Sequence, residues 1–186
     1  MRLIDLLPLT TDRLTLRAPT VADLDACAAM HADPEVMRYL TPRDRDATAF
    51  YLGQIAATLD AGKPHFLTVT ETATSAFVGL AGLFEMGDRF RVPLGEPAPL
   101  VEVAYRLARP HWNKGYASEA GRVLLDIGFD QLGLERIGGI ADVRNEASNR
   151  VLAKIGLKFQ RTFTTPERTL HFYALCAGER RITAMA

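Results

Sequence analysis

Apolar residues recur along this chain in two periods, and each switch between them marks the border of an element. Leu14-Thr15-Leu16 alternates as a strand does, and Thr20-x-x-Asp23 then resembles a capping box opening a helix whose apolar side takes Val21, Leu24, Ala28 and Met30. Asp33-Pro34 starts a separate helical turn, since proline suits the first helical position, where an N–H has no partner. A second helix covers 46–59 and stops at Ala61-Gly62-Lys63-Pro64. Strands at 65–70 and 77–84, joined by a polar turn over 72–75, form an antiparallel hairpin. Residues 86–99 hold Gly87, Pro93, Gly95, Pro97 and Pro99, which predicts the longest irregular segment of the chain.

In the second half a strand at 100–107 runs through a loop into a helix at 116–132. That helix turns Ala120, Val123, Leu124 and Ile127 inward and carries a polar stripe of Glu119, Arg122, Asp126 and Asp130, which sets Glu119 in water. A strand follows at 136–143, where Gly138-Gly139 predicts a bulge or a close backbone approach. A short helix from Asn145 is stopped by Gly156, and strands at 158–164 and 168–175 pair around Thr165-Pro166-Glu167. Together these elements predict an α/β (α+β) fold, a mixed and mostly antiparallel central sheet with helices on both faces. No repeat, linker or low-complexity tract divides it, so residues 1–186 read as one domain.

Composition narrows the function without choosing it. Lys+Arg and Asp+Glu both number 22, so no bulk field draws the protein to nucleic acid or anionic lipid, and any polyanion must be met locally. The first ten residues are broken by Asp5 and Pro8 and make neither a signal peptide nor a membrane span, which predicts a cytoplasmic protein. Cys27 and Cys176 are too few and too far apart for a disulfide framework and read as core thiols. His31, His65, His111 and His171 lack metal-ligand spacing, and no serine stands in a nucleophile elbow, so neither metal nor covalent chemistry is expected.

The loop Arg109-Pro110-His111-Trp112-Asn113-Lys114-Gly115-Tyr116-Ala117-Ser118 joins a strand to a helix start, and that junction is an anion site. The first N–H groups of a helix have no partner within it, and its dipole adds about half a positive charge there. Gly115 can take a positive φ and let a phosphate approach the main chain, Ala117 keeps the next contact small, and Ser118 can cap the helix. Lys114-Gly115 lacks the order of a P-loop, and no Gly-x-Gly-x-x-Gly occurs.

Trp112-x-x-Gly115-x-Ala117, followed some thirty residues later by Asn145-x-x-Ser148 and a helix ending in Gly156-Leu157-Lys158-Phe159, resembles the acetyl-CoA site of the GNAT N-acetyltransferase superfamily. With Leu9-Thr10-Thr11-Asp12-Arg13-Leu14-Thr15-Leu16-Arg17, it is similar to the ribosomal-protein N-acetyltransferase-like (RimJ/RimL-type) branch. The superfamily pattern has Gln or Arg where this chain has Trp112, a departure usual in that branch. The resemblance implies acetyl-CoA as co-substrate, without metal, and a primary-amine acceptor met by a monomer or homodimer. Backbone groups of Asn113, Lys114, Gly115, Tyr116, Ala117 and Ser118 would take the pyrophosphate, and main chain at Tyr105 and Leu107 would hold the pantetheine arm as a pseudo-strand. Asn145 would bond the pantetheine amide or acyl region, and Arg150 would approach the 3′-phosphate.

Glu102, on the strand before the loop, is the candidate general base, and Ser148 is a candidate donor to the departing sulfur. Each has a plainer alternative: Glu102 as an ion pair with Arg106, Ser148 as a helix-start serine, Asn145 as a helix cap, Arg150 as a surface residue. Tyr105, Tyr116 and Tyr173 read as packing, and Trp112 as an apolar anchor for the loop. Two other functions stay open, a silent acyl-CoA-binding or sensor domain and an acyltransferase using a longer acyl-CoA. Helices over 21–60, the loop 86–99 and the last hairpin would surround the acceptor.

Overall fold

The computed structural model describes residues 1–183. Its strands are β1 (Leu9–Thr10), β2 (Leu14–Arg17), β3 (Phe66–Glu71), β4 (Phe77–Glu85), β5 (Val101–Leu107), β6 (Arg136–Asp142), β7 (Lys158–Thr164) and β8 (Thr169–Cys176). The helices are α1 (Leu24–Ala32), α2 (Pro34–Met37), α3 (Arg45–Asp60), α4 (Asp88–Leu94), α5 (Tyr116–Asp130), α6 (Glu146–Lys154) and α7 (Ala177–Thr183). One sheet runs in the order β1-β2-β3-β4-β5-β6-β8-β7, and every neighbouring pair is antiparallel except β5 and β6. This is the mixed, mostly antiparallel sheet with helices on both faces that the patterning predicts.

Local chemistry sets most helix starts. Asp44 caps α3 by accepting from the Ala47 N–H at 2.8 Å, and Asp33 caps α2 by accepting from Glu35 N–H at 2.9 Å with Pro34 first in the helix. The Asp23 carboxylate accepts from the Thr20 N–H at 2.8 Å and is also gripped by Arg17 and Thr68. Because residues 21–23 wind as a 3-10 turn ahead of α1, Val21 swings off the apolar face and stands 94% exposed. The buried face of α1 keeps the expected Met30 and adds Cys27 and His31, while Leu24 and Ala28 are only partly buried.

The irregular segment expected over 86–99 contains α4. Gly87 starts it and Gly95, at φ +74°, ends it, so the glycines punctuate a helix they were expected to forbid. A separate apolar cluster of Met86, Leu94, Leu100, Phe163 and Phe172 fastens this helix to the last hairpin. Buried Glu96 holds the far end of the segment by ion pairs to Arg136 and Arg161. Gly138-Gly139 makes no bulge, since β6 keeps one register against β8. A Cβ on Gly138 would meet Phe172 at 2.9 Å and one on Gly139 would meet Leu152 at 2.7 Å, so these glycines make room for side chains from both faces.

Candidate active site

The parallel pair β5/β6 is joined at only two rungs, Val101 with Ile137 and Glu102 with Gly138, and beyond them the strands part. On its other edge β5 stays in register with β4 along its whole length, and Ala108 continues that ladder by donating to Val78 at 2.9 Å. Peptide groups alternate sides along a strand, so Tyr105 and Leu107 turn theirs toward the gap. The Leu107 carbonyl is already used: the Trp112 indole N–H donates to it at 2.7 Å. Trp112 thus anchors the loop through a hydrogen bond while the residue stays 39% exposed, which corrects the apolar anchor expected from its type.

At the mouth of the gap, Asn113 (φ +59°) and Gly115 (φ +81°) both take left-handed backbone on either side of Lys114. Asparagine tolerates that region and glycine occupies it freely. Gly115 is itself the cap of α5, so Ser118, expected to cap, lies buried in the first turn. Among the described residues none of the N–H groups from Asn113 to Ser118 donates a hydrogen bond. A row of free N–H donors at a helix start, with alternating backbone handedness, forms a concavity suited to an anion. Ala117 faces the same turn without bulk, and Lys114 and Tyr116 flank it.

Two side chains that the sequence reading missed buttress this loop. Glu119 faces the end of β1: it accepts from the Thr11 hydroxyl at 2.5 Å, from the Arg13 N–H at 3.0 Å and from the Arg13 guanidinium at 2.7 Å. Its place in the polar stripe predicted water; long-range partners hold it part-buried, and these bonds draw its carboxyl below the usual range although desolvation opposes them. Arg13 also donates to the Lys114 carbonyl at 3.0 Å. Nothing in local spacing announces residues a hundred positions apart.

Across the gap, Asn145 caps α6, its amide oxygen accepting from the Ser148 N–H at 3.1 Å. The Ser148 carbonyl accepts from the Tyr105 hydroxyl at 3.0 Å, a bridge between β5 and α6 on one side of the opening, while the Ser148 hydroxyl has no partner among the described residues. Asn149, which motif spacing passed over, donates to the Asp142 and Asn145 carbonyls and accepts from Tyr173 and His171. It fixes the turn that presents Asn145 and Ser148. Arg150 points to solvent and pairs with Glu146 at 3.1 Å.

Glu102 stands at the last rung before the strands part, 4% exposed, its carboxyl without a hydrogen bond or ion pair among the described residues. Burial alone pushes its carboxyl up to about 8, because a carboxylate is disfavoured away from water. It does not pair with Arg106, whose guanidinium turns to His31 on α1. Opposite residues on paired strands share a face; Leu83, opposite Val103, lies against α5, so Glu102 and Arg106 emerge on the face away from α5. Helices α1 and α3 border that face on one side, and α4 with the last hairpin on the other. Arg168 donates to the Tyr39 carbonyl, and the Tyr39 hydroxyl donates to the Arg144 carbonyl at 3.1 Å, strapping the α2–α3 connection across to the hairpin. A cavity of about 320 Å³ lined by His65, Phe84, Pro99 and Val101 lies at the opposite end of β5 from the phosphate-sized loop.

Among the described residues no helix is long and apolar enough to cross a membrane, and no group of three His, Cys, Asp or Glu is placed to hold a metal. Residues 13–158 match the family model described as an acetyltransferase (GNAT) domain. An uncharacterized N-acetyltransferase, YoaA of Bacillus subtilis, is 31% identical over 153 residues, covering 81% of this chain and 82% of the relative. The fold is similar to a GNAT-family acetyltransferase from Bacillus anthracis, with a TM-score of 0.79 at 23% identity over 93% of this chain and all of that one. It is also similar to spermidine N-acetyltransferase from Vibrio cholerae, solved with CoA and spermine, with a TM-score of 0.71 at 18% identity, covering 91% of this chain and 98% of that one.

Proposed function

The chain belongs to the GNAT acetyltransferase family, and from that premise we propose that it moves the acetyl group of acetyl-CoA directly to a primary amine within a ternary complex. The acceptor is a peptide N-terminus or a small polar amine. Acetyl-CoA brings an activated acyl group, so the chain has to bind, orient, remove a proton and stabilise charge. The pyrophosphate rests on the free N–H groups from Asn113 to Ser118, and the pantetheine arm bonds to the main chain of Tyr105 and the Leu107 N–H. Asn145 offers its amide NH₂ to that arm, its oxygen being committed to the helix cap. Arg150, at the solvent edge, meets the 3′-phosphate.

Glu102 is the base. It takes the proton of the incoming ammonium, directly or through one water, and a carboxyl with a value of about 8 is matched to that task near neutral pH. Ser148 donates a hydrogen bond to the sulfur; a thiol of pKa about 8.5 leaves without a strong acid. A silent CoA-binding domain would hold Glu102 in a structural ion pair, and the carboxyl has none, so the enzyme is preferred. We place it in the ribosomal-protein N-acetyltransferase-like branch, acting in the cytoplasm as a single-domain monomer or homodimer.

The observation that carries this reading is the unpartnered, buried Glu102 at the point where β5 and β6 separate. Release of CoA thiol, followed over a panel of peptides and small amines, tests it. Turnover with at least one amine, lost in Glu102→Gln, is expected. Tight acetyl-CoA binding with no transfer to any amine would return the protein to the sensor class, and faster release from longer acyl-CoAs would identify a different donor.

A further inference from the structure

Arg106 carries a charge into a place where no carboxylate meets it. Its Nη1 lies 2.6 Å from His31 Nε2, and His31 Nδ1 lies 2.9 Å from the Thr48 hydroxyl. Nε2 must therefore be bare and accept from the guanidinium, while Nδ1 holds the proton and donates to Thr48. Burial, helped by Arg106 and Arg43, lowers His31 to about 4, so the ring stays neutral and supplies no counter-charge. Arg106 Nε is fully buried and has no partner.

A second cation stands beside the first. The Arg43 guanidinium lies 4.2 Å over the Tyr51 ring, and it too has no ion pair among the described residues. Asp23, the acid that bears on neighbouring Cys27, is already held by Arg17, Thr20 and Thr68. Two arginines thus stand together beside a neutral imidazole and the Tyr51 phenol, which bonds Arg106 but brings no counter-charge. Desolvating a guanidinium without a counter-ion is costly, and a planar fork with unused donors is the shape that binds a carboxylate on two oxygens.

We propose that Arg106, oriented by His31 and supported by Arg43, is the receptor for a carboxylate on the acceptor, so that the enzyme acetylates amines that also carry an acid. The inference rests on the amine-acetylating reading above. CoA phosphates are not the ligand meant here, because Arg106 stands on the face turned away from α5, whose N-terminus is the phosphate site. Glu102 and Arg106 are four residues apart on one strand face, about 13 Å between Cα atoms. That span suits an amine and a carboxylate separated by several bonds, as in an ω-amino acid or a peptide with an acidic residue near its N-terminus.

Matched acceptor pairs test it and separate the two sources. 4-Aminobutyrate and 6-aminohexanoate are compared with their amides, and the amidated dipeptide Ala-Glu with Ala-Gln, by CoA release. In at least one series the acid is expected to exceed its uncharged partner by about 10- to 100-fold in kcat/KM, the worth of a charge-assisted bond. Arg106→Gln should bring that ratio near one, and Arg106→Lys should leave part of it. Arg45→Gln, which removes a surface charge paired with Asp25 on the same helix as Tyr51, should leave the ratio as it is. Equal rates on acid and amide in both series, or a preference that survives in folded Arg106→Gln, would overturn the inference and leave amine acetylation standing. If no amine is turned over, binding of 4-acetamidobutyrate against its amide decides by thermal shift: an acid preference lost in Arg106→Gln supports the site, and equal binding removes it. Should Arg106→Gln fail to fold, Arg106→Lys and Arg43→Gln read the same ratios, and unchanged ratios in both would refute the receptor.

Discussion

Replacing Glu102 with glutamine should lower activity and raise stability in the same pH range. The ordinary value of 4.5 is raised to about 8 by burial, so between those limits folding takes up a proton. When the folded value lies above the unfolded one, the stabilisation is fully present below the unfolded value and is lost as pH rises toward the folded one. Wild-type protein should lose stability from about pH 4.5 to 8 relative to Glu102→Gln, whose amide has nothing to ionise. At about 1.4 kcal/mol per pH unit the whole interval is worth at most about 5 kcal/mol, and relaxation around the ionised carboxylate makes about 2–3 kcal/mol the working expectation. Urea unfolding of both proteins at pH 5 and pH 8.5 measures it, with near-equal stability at the first and a more stable mutant at the second. In the same samples, loss of a general base should cost about 10²–10⁴ in turnover and remove the rising limb of kcat/KM near pH 8. A mutant that is less stable at pH 8.5, or one that keeps the limb, would show that Glu102 is not a buried, protonated carboxyl acting as the base.

Gly115→Val should abolish the rise in melting temperature caused by acetyl-CoA, because φ is +81° there and a β-branched residue cannot hold it; an unchanged shift in a folded variant would move the phosphate site elsewhere. Glu119→Gln should cost about 1–3 kcal/mol by weakening its bonds to Thr11 and Arg13, and a change within a few tenths, read from urea midpoints, would return Glu119 to a solvated role. Glu96→Gln leaves Arg136 and Arg161 without their shared acid and should bring protease cleavage into residues 86–99; an equally resistant segment would show that the apolar cluster alone holds it.

The strand, loop and helix around Gly115 were legible because each signal there is local: an apolar run, a glycine and a helix start within twenty residues. Helix α4 was not, since five glycines and prolines were counted as breakers, whereas their positions matter: Gly87 and Gly95 bracket the helix and Pro93 falls in its last turn. Glu119 illustrates a second limit. Its helical spacing was right, but spacing on one element says nothing about Thr11 arriving from another. Gly138-Gly139 suggested a bulge or a close backbone approach and neither is present, because absence of a side chain serves an incoming Phe172 or Leu152 as well as an incoming backbone. The pairing of Arg106 with neutral His31, in place of nearby Glu102, depends on how α1 docks on the sheet, and strand periodicity carries no trace of that.

With only two rungs between β5 and β6, the eight-stranded sheet is mechanically two leaves on a narrow hinge. One leaf, β1 to β5, closes through antiparallel neighbours; the other, β6 with β8 and β7, does the same, and α5 connects the two along the chain. The Tyr105–Ser148 bond spans the hinge on one side and the Tyr39 strap to Arg144 and Arg168 on the other. Amide protons at Tyr105 and Leu107, lying just past the hinge, should exchange with solvent far sooner than those of Leu80 or Val103 a few ångströms away. A ligand strand laid along that edge would splice the leaves into one continuous sheet, so the protein's resistance to opening at its centre would be set by what it is carrying.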